Sequence, residues 1–413
     1  MIKPARVQAF GIPEPLPTPS QPRVWVLAGD KVGDNAQLSA IVEALGWSCT
    51  WKHLRFHARY NKRRPFYRAT VNHVDPGRSD AIGPPWPDLI LTIGRRPSMA
   101  ALWVRSKSGG LTKLVIVGRP HRMLEQFDLI ITSALFHLPD RSNILKLGLP
   151  LMRYDAERTD AAAKAWKGRF EGLKRPLTAL LVGGPEDPFR FDEATARRLL
   201  EQAIGLPGGT GTLVVVTSRR TPQNIVTALS AHLPPDARLY PWTSDPRLNP
   251  YGALLGLADR FIVTGDSISM MVEVARLRKP LAIAPLPLRA APWIRAEQAM
   301  ARRFRSAAAN GSAFWQRLQT FLHGRGIAPF ARDIPGFHAM LFQSGLAVPL
   351  GQPFPSQAGS PSDGLAVAAA RIRALFGSDI AAGLEPLTPD RSGAMPAGSP
   401  RRSTPSWRDE SRK

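Results

Sequence analysis

The feature that most constrains the fold of this chain is a regular alternation of short apolar runs with helical segments. In the first half, buried strands are predicted at 23–28, from Trp47 onward, and at 87–93, 114–117, 129–132 and 145–148. The pattern restarts with strands at 177–182, 212–217, 261–264 and 281–284, and we expect the last of these to close the series. Strands that alternate with helices favour a parallel sheet covered on both faces. We therefore predict an α/β protein with two Rossmann-like, doubly wound domains that face a cleft.

The chain length agrees with two domains, because 413 residues exceed what one hydrophobic core ordinarily holds. We expect an N-terminal domain over 21–155 and a C-terminal domain over 176–345. The flanking segments are rich in Pro, Gly and Ser. There we predict a flexible leader at 1–20, a segment with one helix (364–376) at 346–383 and a disordered tail at 384–413.

Positive charge is concentrated in one stretch of the sequence. The chain has 55 Lys and Arg against 32 Asp and Glu, and 15 of the basic residues lie in 51–122 beside only three Asp. A surface of this kind attracts phosphorylated substrates, an anionic lipid leaflet or nucleic acid. Nucleic acid is the least favoured of these partners, because no nucleic-acid-binding module is recognisable.

Composition also limits where the protein works and what it contains. The single cysteine, Cys49, excludes an internal disulfide framework and a Cys-rich zinc site. No run approaches the ~18 apolar residues that span a bilayer, and the proline-broken N-terminus lacks the apolar core of a signal peptide. We expect a cytoplasmic protein, peripheral at the inner face of the membrane if its acceptor is lipid-linked.

Polar turns follow three predicted strands of the second half. In open parallel sheets, ligands collect where strands end and helices begin, because free N–H groups and the helix dipole favour anions there. Gly183-Gly184 is either a close approach to a ligand or a tight turn. Ser218-Arg219-Arg220 suits a phosphate. In Thr264–Ser267, Asp266 or Ser267 is suited to cap the next helix, on which Glu273 either faces the cleft or is a solvated residue.

The first half has comparable turns. Asp30, Asp34 and Asn35 follow the first strand, and Arg95 and Arg96 follow another. A carboxylate after the first strand either caps the helix, which the sequence alone favours, or acts as a general base. The sequence lacks a dinucleotide fingerprint, a P-loop, a nucleophile elbow and metal-ligand spacing, so we expect neither a metal nor a bound cofactor.

Five segments together carry a family resemblance. They are GDKVGDNAQ (29–37), PDLILTIGRR (87–96), LLVGGPEDPFRFD (180–192), VTSRRTP (216–222) and NPYGALLGLADRFIVTGDSISMMVEVARLRKP (249–280). In this order they resemble the bacterial branch of the family named after the plant "elongated mitochondria" fission factor. One departure is 117–122, where Val-Gly-Arg-Pro-His-Arg replaces the family's Asp-Pro-Arg-type loop.

The resemblance implies a GT-B-like pair of domains whose C-terminal half holds a nucleotide sugar. The segment 264–280 is also similar to the stretch of the peptidoglycan-precursor GlcNAc transferase in which a glutamate, here Glu273, binds the ribose. The predicted donor site comprises Gly183, Gly184, Ser218, Arg219, Arg220, Gly265, Asp266, Ser267, Ser269 and Glu273. The predicted N-terminal side of the cleft comprises Asn35, Gln37, Gly94, Arg95 and Arg96, with Asp34 or Asp30 as the base.

Three functions are compatible with these features. The leading hypothesis is a glycosyltransferase-type protein whose donor substrate is a nucleotide-diphosphate sugar. Its basic, aromatic stretch 52–64 would face a lipid-linked acceptor at an anionic membrane, or is a solvated loop. The alternatives are a non-catalytic adaptor, a role implicated for the plant namesake, and a nucleic-acid binder that rests on net charge alone.

Overall fold

The computed structural model describes residues 21–377 with short gaps. The gaps are 63–65, 121, 137, 153–154, 186–187, 207–208, 210, 246, 290, 325–331 and 355–358. The described chain forms two six-stranded parallel sheets with interleaved helices, so the predicted α/β class with two doubly wound sheets is confirmed. The predicted leader (1–20) and tail (384–413) lie outside the described residues.

The strands of the first sheet are β1 (Val24–Ala28), β2 (Cys49–His53), β3 (Leu89–Ile93), β4 (Lys113–Val117), β5 (Leu129–Ser133) and β6 (Ile144–Leu147). Their order across the sheet is β2-β1-β3-β4-β5-β6. The helices of this half are α1 (Val32–Leu45), α2 (Arg59–Lys62) and α3 (Arg95–Lys107). Every residue of β1, β3 and β5 is buried, which explains why these strands are continuous apolar runs in the sequence.

The strands of the second sheet are β7 (Leu177–Val182), β8 (Thr212–Thr217), β9 (Arg238–Tyr240), β10 (Arg260–Thr264), β11 (Leu281–Ala284) and β12 (Val348–Pro349). Their order across the sheet is β12-β11-β10-β7-β8-β9. The expectation that 281–284 close the series is wrong, because β12 pairs with β11 in parallel. A two-residue strand that contains proline carries almost no sequence signal.

Nine α-helices follow the last strand of the first sheet in the described chain. They are α4 (Ala156–Phe170), α5 (Glu193–Ile204), α6 (Gln223–Ala231), α7 (Tyr251–Leu257), α8 (Ile268–Arg276), α9 (Pro292–Ala309), α10 (Ala313–Gly324), α11 (Ile334–Gln343) and α12 (Gly364–Arg373). Four of them begin at an aspartate whose carboxylate accepts a backbone N–H of the first turn: Asp155, Asp192, Asp333 and Asp363. These caps satisfy donors that a helix cannot satisfy internally.

The last described helix, α12, returns to the first sheet and packs beside α1. Ala368, Ala369 and Ile372 are buried in the core that covers one face of that sheet. The Arg373 guanidinium donates to the carbonyl oxygens of Ala44 and Leu45, at 2.9 and 3.0 Å. The C-terminal segment therefore completes the N-terminal half, while the domain boundaries that we infer from the sequence stay a prediction.

Direct contacts join the two halves. The N–H of Asp333, just before α11, donates to the Leu135 carbonyl after β5 at 2.8 Å. Leu135 and Leu149 belong to the same buried core as Phe337 on α11. Helix α11 therefore lies between the halves: Asp333 at its start contacts the segment after β5, and Ile334 and Phe337 are buried in cores that cover the second sheet.

Candidate functional site

Three turns at the carboxyl end of the second sheet form one hydrogen-bonded unit. The sheet order places β10, β7 and β8 side by side. The N–H of Gly183 donates to Thr264 Oγ1 at 2.8 Å, and the N–H of Gly184 donates to Asp266 Oδ2 at 3.0 Å. The Thr221 hydroxyl donates to the carbonyl of Gly183 at 2.5 Å. The predicted turns at 183–185 (GGP), 217–220 (TSRR) and 264–267 (TGDS) are therefore neighbours in space.

Gly183 and Gly184 are required by close contacts within the protein itself. A Cβ at Gly183 would overlap Ser267 Oγ and the Asp266 carboxylate, and a Cβ at Gly184 would overlap the backbone of Arg220. The sequence favoured close approach of a ligand or a tight turn as the reason for these glycines. Their N–H groups are instead used by Thr264 and Asp266, so a ligand would not bind through them without breaking these bonds.

Asp266 is a buried carboxylate with incomplete partners. The residue is 1% exposed, and its Oδ1 accepts no hydrogen bond within the described chain. Among the described residues the nearest cation is Arg220, whose Nη2 lies 3.7 Å from Oδ2. Burial raises the pKa of Asp266, while hydrogen bonding at Thr264 and the charge of Arg220 oppose that shift. The carboxylate is thus held against the glycine turn at a net electrostatic cost.

The turn after β8 presents two arginines to solvent. The Ser218 N–H donates to Thr221 Oγ1 at 2.9 Å, and the Arg220 N–H donates to Ser218 Oγ at 3.3 Å. These bonds fix the turn, while Arg219 and Arg220 are both exposed. Two guanidiniums at the end of a buried strand are suited to hold a phosphate.

The N-terminus of α8 has no side-chain cap. Ser267 occupies the N-cap position, but its hydroxyl donates to Asp266 Oδ2 at 3.4 Å and not to the helix. The expected capping by Asp266 or Ser267 is therefore wrong, because both side chains turn toward the Gly183 turn. Within the described chain, the N–H groups of Ser269 and Met270 donate to no acceptor. An uncapped helix start with free N–H groups favours an anion.

Glu273 is not the solvated helix residue that the sequence left open. The Tyr251 hydroxyl on α7 donates to Glu273 Oε2 at 2.7 Å. Burial raises the pKa of Glu273, and the hydrogen bond from Tyr251 and the charge of Arg158 lower it in part. The predicted ribose contact of Glu273 stays a prediction, but its carboxylate is oriented and partly desolvated.

His338 on α11 packs against the TGDS turn and escaped the sequence analysis. A Cβ at Gly265 would lie 2.9 Å from Cε1 of His338, so only glycine leaves room for the ring. Burial lowers the pKa of His338 to about 4, so the ring is neutral at pH 7. Its Nε2 is buried and has no hydrogen-bond partner among the described residues. Asp333 followed by Pro335 is a helix-start signal that would have located α11.

In the turn after β1 of the first half, the charge of Asp30 is neutralised by an arginine. Arg96 Nη2 donates to both carboxylate oxygens of Asp30 at 3.1 Å. The Arg96 guanidinium also lies over the Phe56 ring, 4.2 Å from its centroid. Asp30 therefore has a charged partner in place, which makes it the weaker of the two candidate bases.

Neither carboxylate after β1 caps α1. The helix begins at Val32 with Lys31 as N-cap and no side-chain cap, and Asp34 lies within its first turn, so the capping interpretation is wrong. A Cβ at Gly94 would lie 3.5 Å from Asp34 Oδ2, and the φ of 87° at Gly94 also favours glycine. Burial raises the pKa of Asp34, against the charges of Lys31 and Arg332.

The other residues predicted to line the cleft in the first half contact the turn after β1 or buried residues of that half. The Asn35 side chain donates to the Gly29 carbonyl at 3.0 Å, and Gln37 is half-buried on α1. The Arg95 guanidinium lies 5.4 Å from the centre of the Tyr67 ring, which is buried. Arg95 is thus engaged inside the first half, beside its neighbour Arg96 at the start of α3.

Two features are absent from the described residues. Among them, no three His, Cys, Asp or Glu side chains are grouped as metal ligands would be. In the same residues, none of the helices combines the length and the apolar character that crossing a membrane requires.

Two known proteins are similar to the chain in sequence. The Arabidopsis thaliana mitochondrial fission protein ELM1 is 23% identical over 217 residues, which are 47% of this chain and 51% of the plant protein. The chain thus spans about half the length of that relative. The uncharacterised Rickettsia prowazekii (strain Madrid E) protein RP120 is 26% identical over 304 residues, covering 63% of this chain and 82% of that protein.

Solved structures include a glycosyl transferase family 9 protein from Veillonella parvula DSM 2008. Its TM-score is 0.37 at 11% identity, with 64% of this chain and 82% of that chain covered. The family described as mitochondrial fission ELM1 matches residues 32–320, which is well over half of the 413 residues. The chain belongs to the mitochondrial fission ELM1 family.

Proposed function

We propose that the chain binds a nucleotide-diphosphate sugar at the carboxyl end of the second sheet, in a GT-B-like cleft. We further propose that it transfers the sugar to an acceptor held by the first half. One observation carries the proposal: three adjacent strands end in turns that are hydrogen-bonded together beside two exposed arginines and an uncapped helix start. Such an arrangement concentrates anion-binding groups at the carboxyl ends of these strands.

The diphosphate would bind between the turn after β8 and the start of α8. Arg219 and Arg220 are exposed there, and the N–H groups of Ser269 and Met270 are available. Charge-assisted hydrogen bonds from these groups would stabilise the negative charge that develops on the leaving diphosphate. Gly183 and Gly184 would support this site by fixing Asp266 and Ser267, and not by binding phosphate themselves.

The ribose would bind at Glu273. A carboxylate accepts hydrogen bonds from a diol, and the Tyr251 hydroxyl at 2.7 Å already fixes the orientation of this one. The Glu273→Gln variant keeps an acceptor for Tyr251 and removes the charge. It should weaken nucleotide-sugar binding by about tenfold if the carboxylate holds the ribose.

Asp34 is the better candidate for the general base toward an acceptor hydroxyl. Both oxygens of Asp30 are engaged by Arg96, whereas Asp34 accepts no hydrogen bond from the described residues. Burial raises the pKa of Asp34 and so increases its proton affinity, which a base requires. We propose a lipid-linked acceptor at the cytoplasmic face of a membrane, supported by the basic character of 51–122.

Calorimetric titration of UDP-, GDP-, dTDP- and CMP-linked sugars tests the proposal. We expect one donor class to bind the wild-type protein and the Arg219→Ala/Arg220→Ala variant to lose about tenfold to a hundredfold in affinity. Arg197→Ala is the matched control, because Arg197 is exposed on α5 and pairs only with Glu201 in the described chain. Absence of binding by every donor would reject the proposal and leave an adaptor role.

A further inference from the structure

Helices α9 and α10, called here the α9–α10 hairpin, take no part in the proposed sugar transfer. Its two helices pack on each other around a small core of their own, in which Phe304 is 4% exposed and contacts Trp315 and Leu322. The rings of Phe304 and Trp315 meet edge to face, 5.9 Å apart. Because the hairpin buries its own apolar contacts, it need not be covered by the sheets to be ordered.

Large apolar side chains remain exposed on the hairpin. Phe314 is 66% exposed, Phe321 is 51% exposed and Met300 is 37% exposed. Phe314 and Phe321 are seven residues apart on α10, so they lie on the same face of that helix. Exposed aromatic residues grouped in this way are typical of a surface that meets a partner.

The charge of the two helices is mostly positive. Between Pro292 and Gly324 the sequence has five arginines and one acidic residue, Glu297. Arg302, Arg303 and Arg317 are exposed on the two helices. The occupant of this surface is therefore anionic as well as apolar.

We infer that the α9–α10 hairpin docks the protein on an anionic lipid surface. Phe314 and Phe321 would enter the boundary between headgroups and acyl chains, while Arg302 and Arg317 would contact phosphate groups. A lipid leaflet offers both an apolar layer and dense negative charge, whereas a free phosphate offers only charge. The stretch 52–64 suits this role less well, because its Phe56 is buried.

Co-sedimentation with vesicles tests this inference. The full chain should bind vesicles made of an equal mixture of phosphatidylglycerol and phosphatidylethanolamine. It should bind vesicles of phosphatidylcholine alone much more weakly. Phe314→Ser/Phe321→Ser and Arg302→Glu/Arg317→Glu should each reduce binding to the anionic vesicles by about tenfold. Leu111→Ser is the control, because Leu111 is 85% exposed in the first half.

Further measurements separate the outcomes. Circular dichroism should show wild-type helix content for each variant, since all four substituted hairpin positions are exposed. Nucleotide-sugar titrations of these variants should be unchanged, so a failure of the lipid inference is distinguishable from a failure of the sugar-transfer proposal. Wild-type protein that ignores anionic vesicles, or hairpin variants that bind them as the wild type does, would overturn the inference. A wild-type protein that ignores vesicles would assign this surface to a protein partner.

Discussion

The turns after β1 and β10 each carry an aspartate, and the two aspartates are in opposite states. Asp30 is 41% exposed at its side chain and shares both oxygens with Arg96 at 3.1 Å. The Asp266 side chain is fully buried, and its nearest arginine nitrogen is 3.7 Å away. The first turn is therefore satisfied inside the protein. The second turn stores unfavourable electrostatics, as functional sites often do.

The largest expected effect on stability comes from adding a methyl group between the turns after β7 and β10. In Gly183→Ala the new methyl group overlaps Ser267 Oγ and both carboxylate oxygens of Asp266. We expect a loss of about 3 kcal/mol in the free energy of unfolding, because the buried Asp266 carboxylate cannot move away without breaking the hydrogen bond that it accepts from the Gly184 N–H. Urea denaturation followed by fluorescence measures it.

The matched control is the same substitution in the first half. Gly33 lies on α1, where an added Cβ meets nothing within 4 Å. Gly33→Ala should therefore leave stability unchanged or raise it by up to about 1 kcal/mol. A Gly183→Ala protein as stable as Gly33→Ala would contradict the tight packing of the second turn.

The next effect is a dependence of stability on pH that originates at His338. Its pKa is about 4 in the folded protein against 6.5 in the unfolded chain, because burial disfavours the charged ring. The unfolded chain thus binds the proton more tightly, so stability present above pH 6.5 is lost as the pH falls toward 4. The loss should be on the order of 2–3 kcal/mol.

Comparison with His338→Leu isolates that contribution. Urea denaturation at a pH above 6.5 and at a pH near 4 gives the change in unfolding free energy for both proteins. The wild-type protein should lose more stability than the variant over this range. Equal losses would show that the ring is accessible to protons in the folded state.

The smallest effects should have opposite signs in the two turns. Asp266→Asn removes a buried carboxylate, whose pKa is raised by burial, and keeps an oxygen that accepts the Gly184 N–H. Because a charge no longer has to be buried, the free energy of unfolding at pH 7 should rise by up to about 1 kcal/mol. Asp30→Asn breaks a half-exposed ion pair and should cost about 0.5 kcal/mol. Thermal unfolding of both variants measures the sign, and destabilisation by Asp266→Asn would refute the contrast.

Much of the fold could be predicted because buried parallel strands are apolar runs. β7, β8 and β11 have the predicted bounds. The short edge strands β9 and β12 could not be found, since two or three residues carry no periodicity. Helix α7 has no side-chain cap, and its apolar residues lie within the segment 249–280, which we interpreted as part of the family resemblance and not as a helix.

The site was predictable as a set of turns but not as a set of contacts. Gly183 and Thr264 are 81 residues apart, and their hydrogen bond depends on β10 lying beside β7, an order that local sequence does not encode. For the same reason the roles of Thr221 and Tyr251 went unrecognised, although both lie within the motifs that carry the family resemblance. His338 was missed because α11 was not predicted.

Hydrogen–deuterium exchange with and without a saturating nucleoside diphosphate tests the central claim most directly. The claim is that the ligand binds the turns of the second sheet and not those of the first. We predict slower exchange in peptides covering 216–222 and 264–271, with the N–H groups of Ser269 and Met270 among the protected sites. Peptides covering 29–37 should be unchanged. Protection confined to 29–37, or no protection at either turn, would contradict the claim.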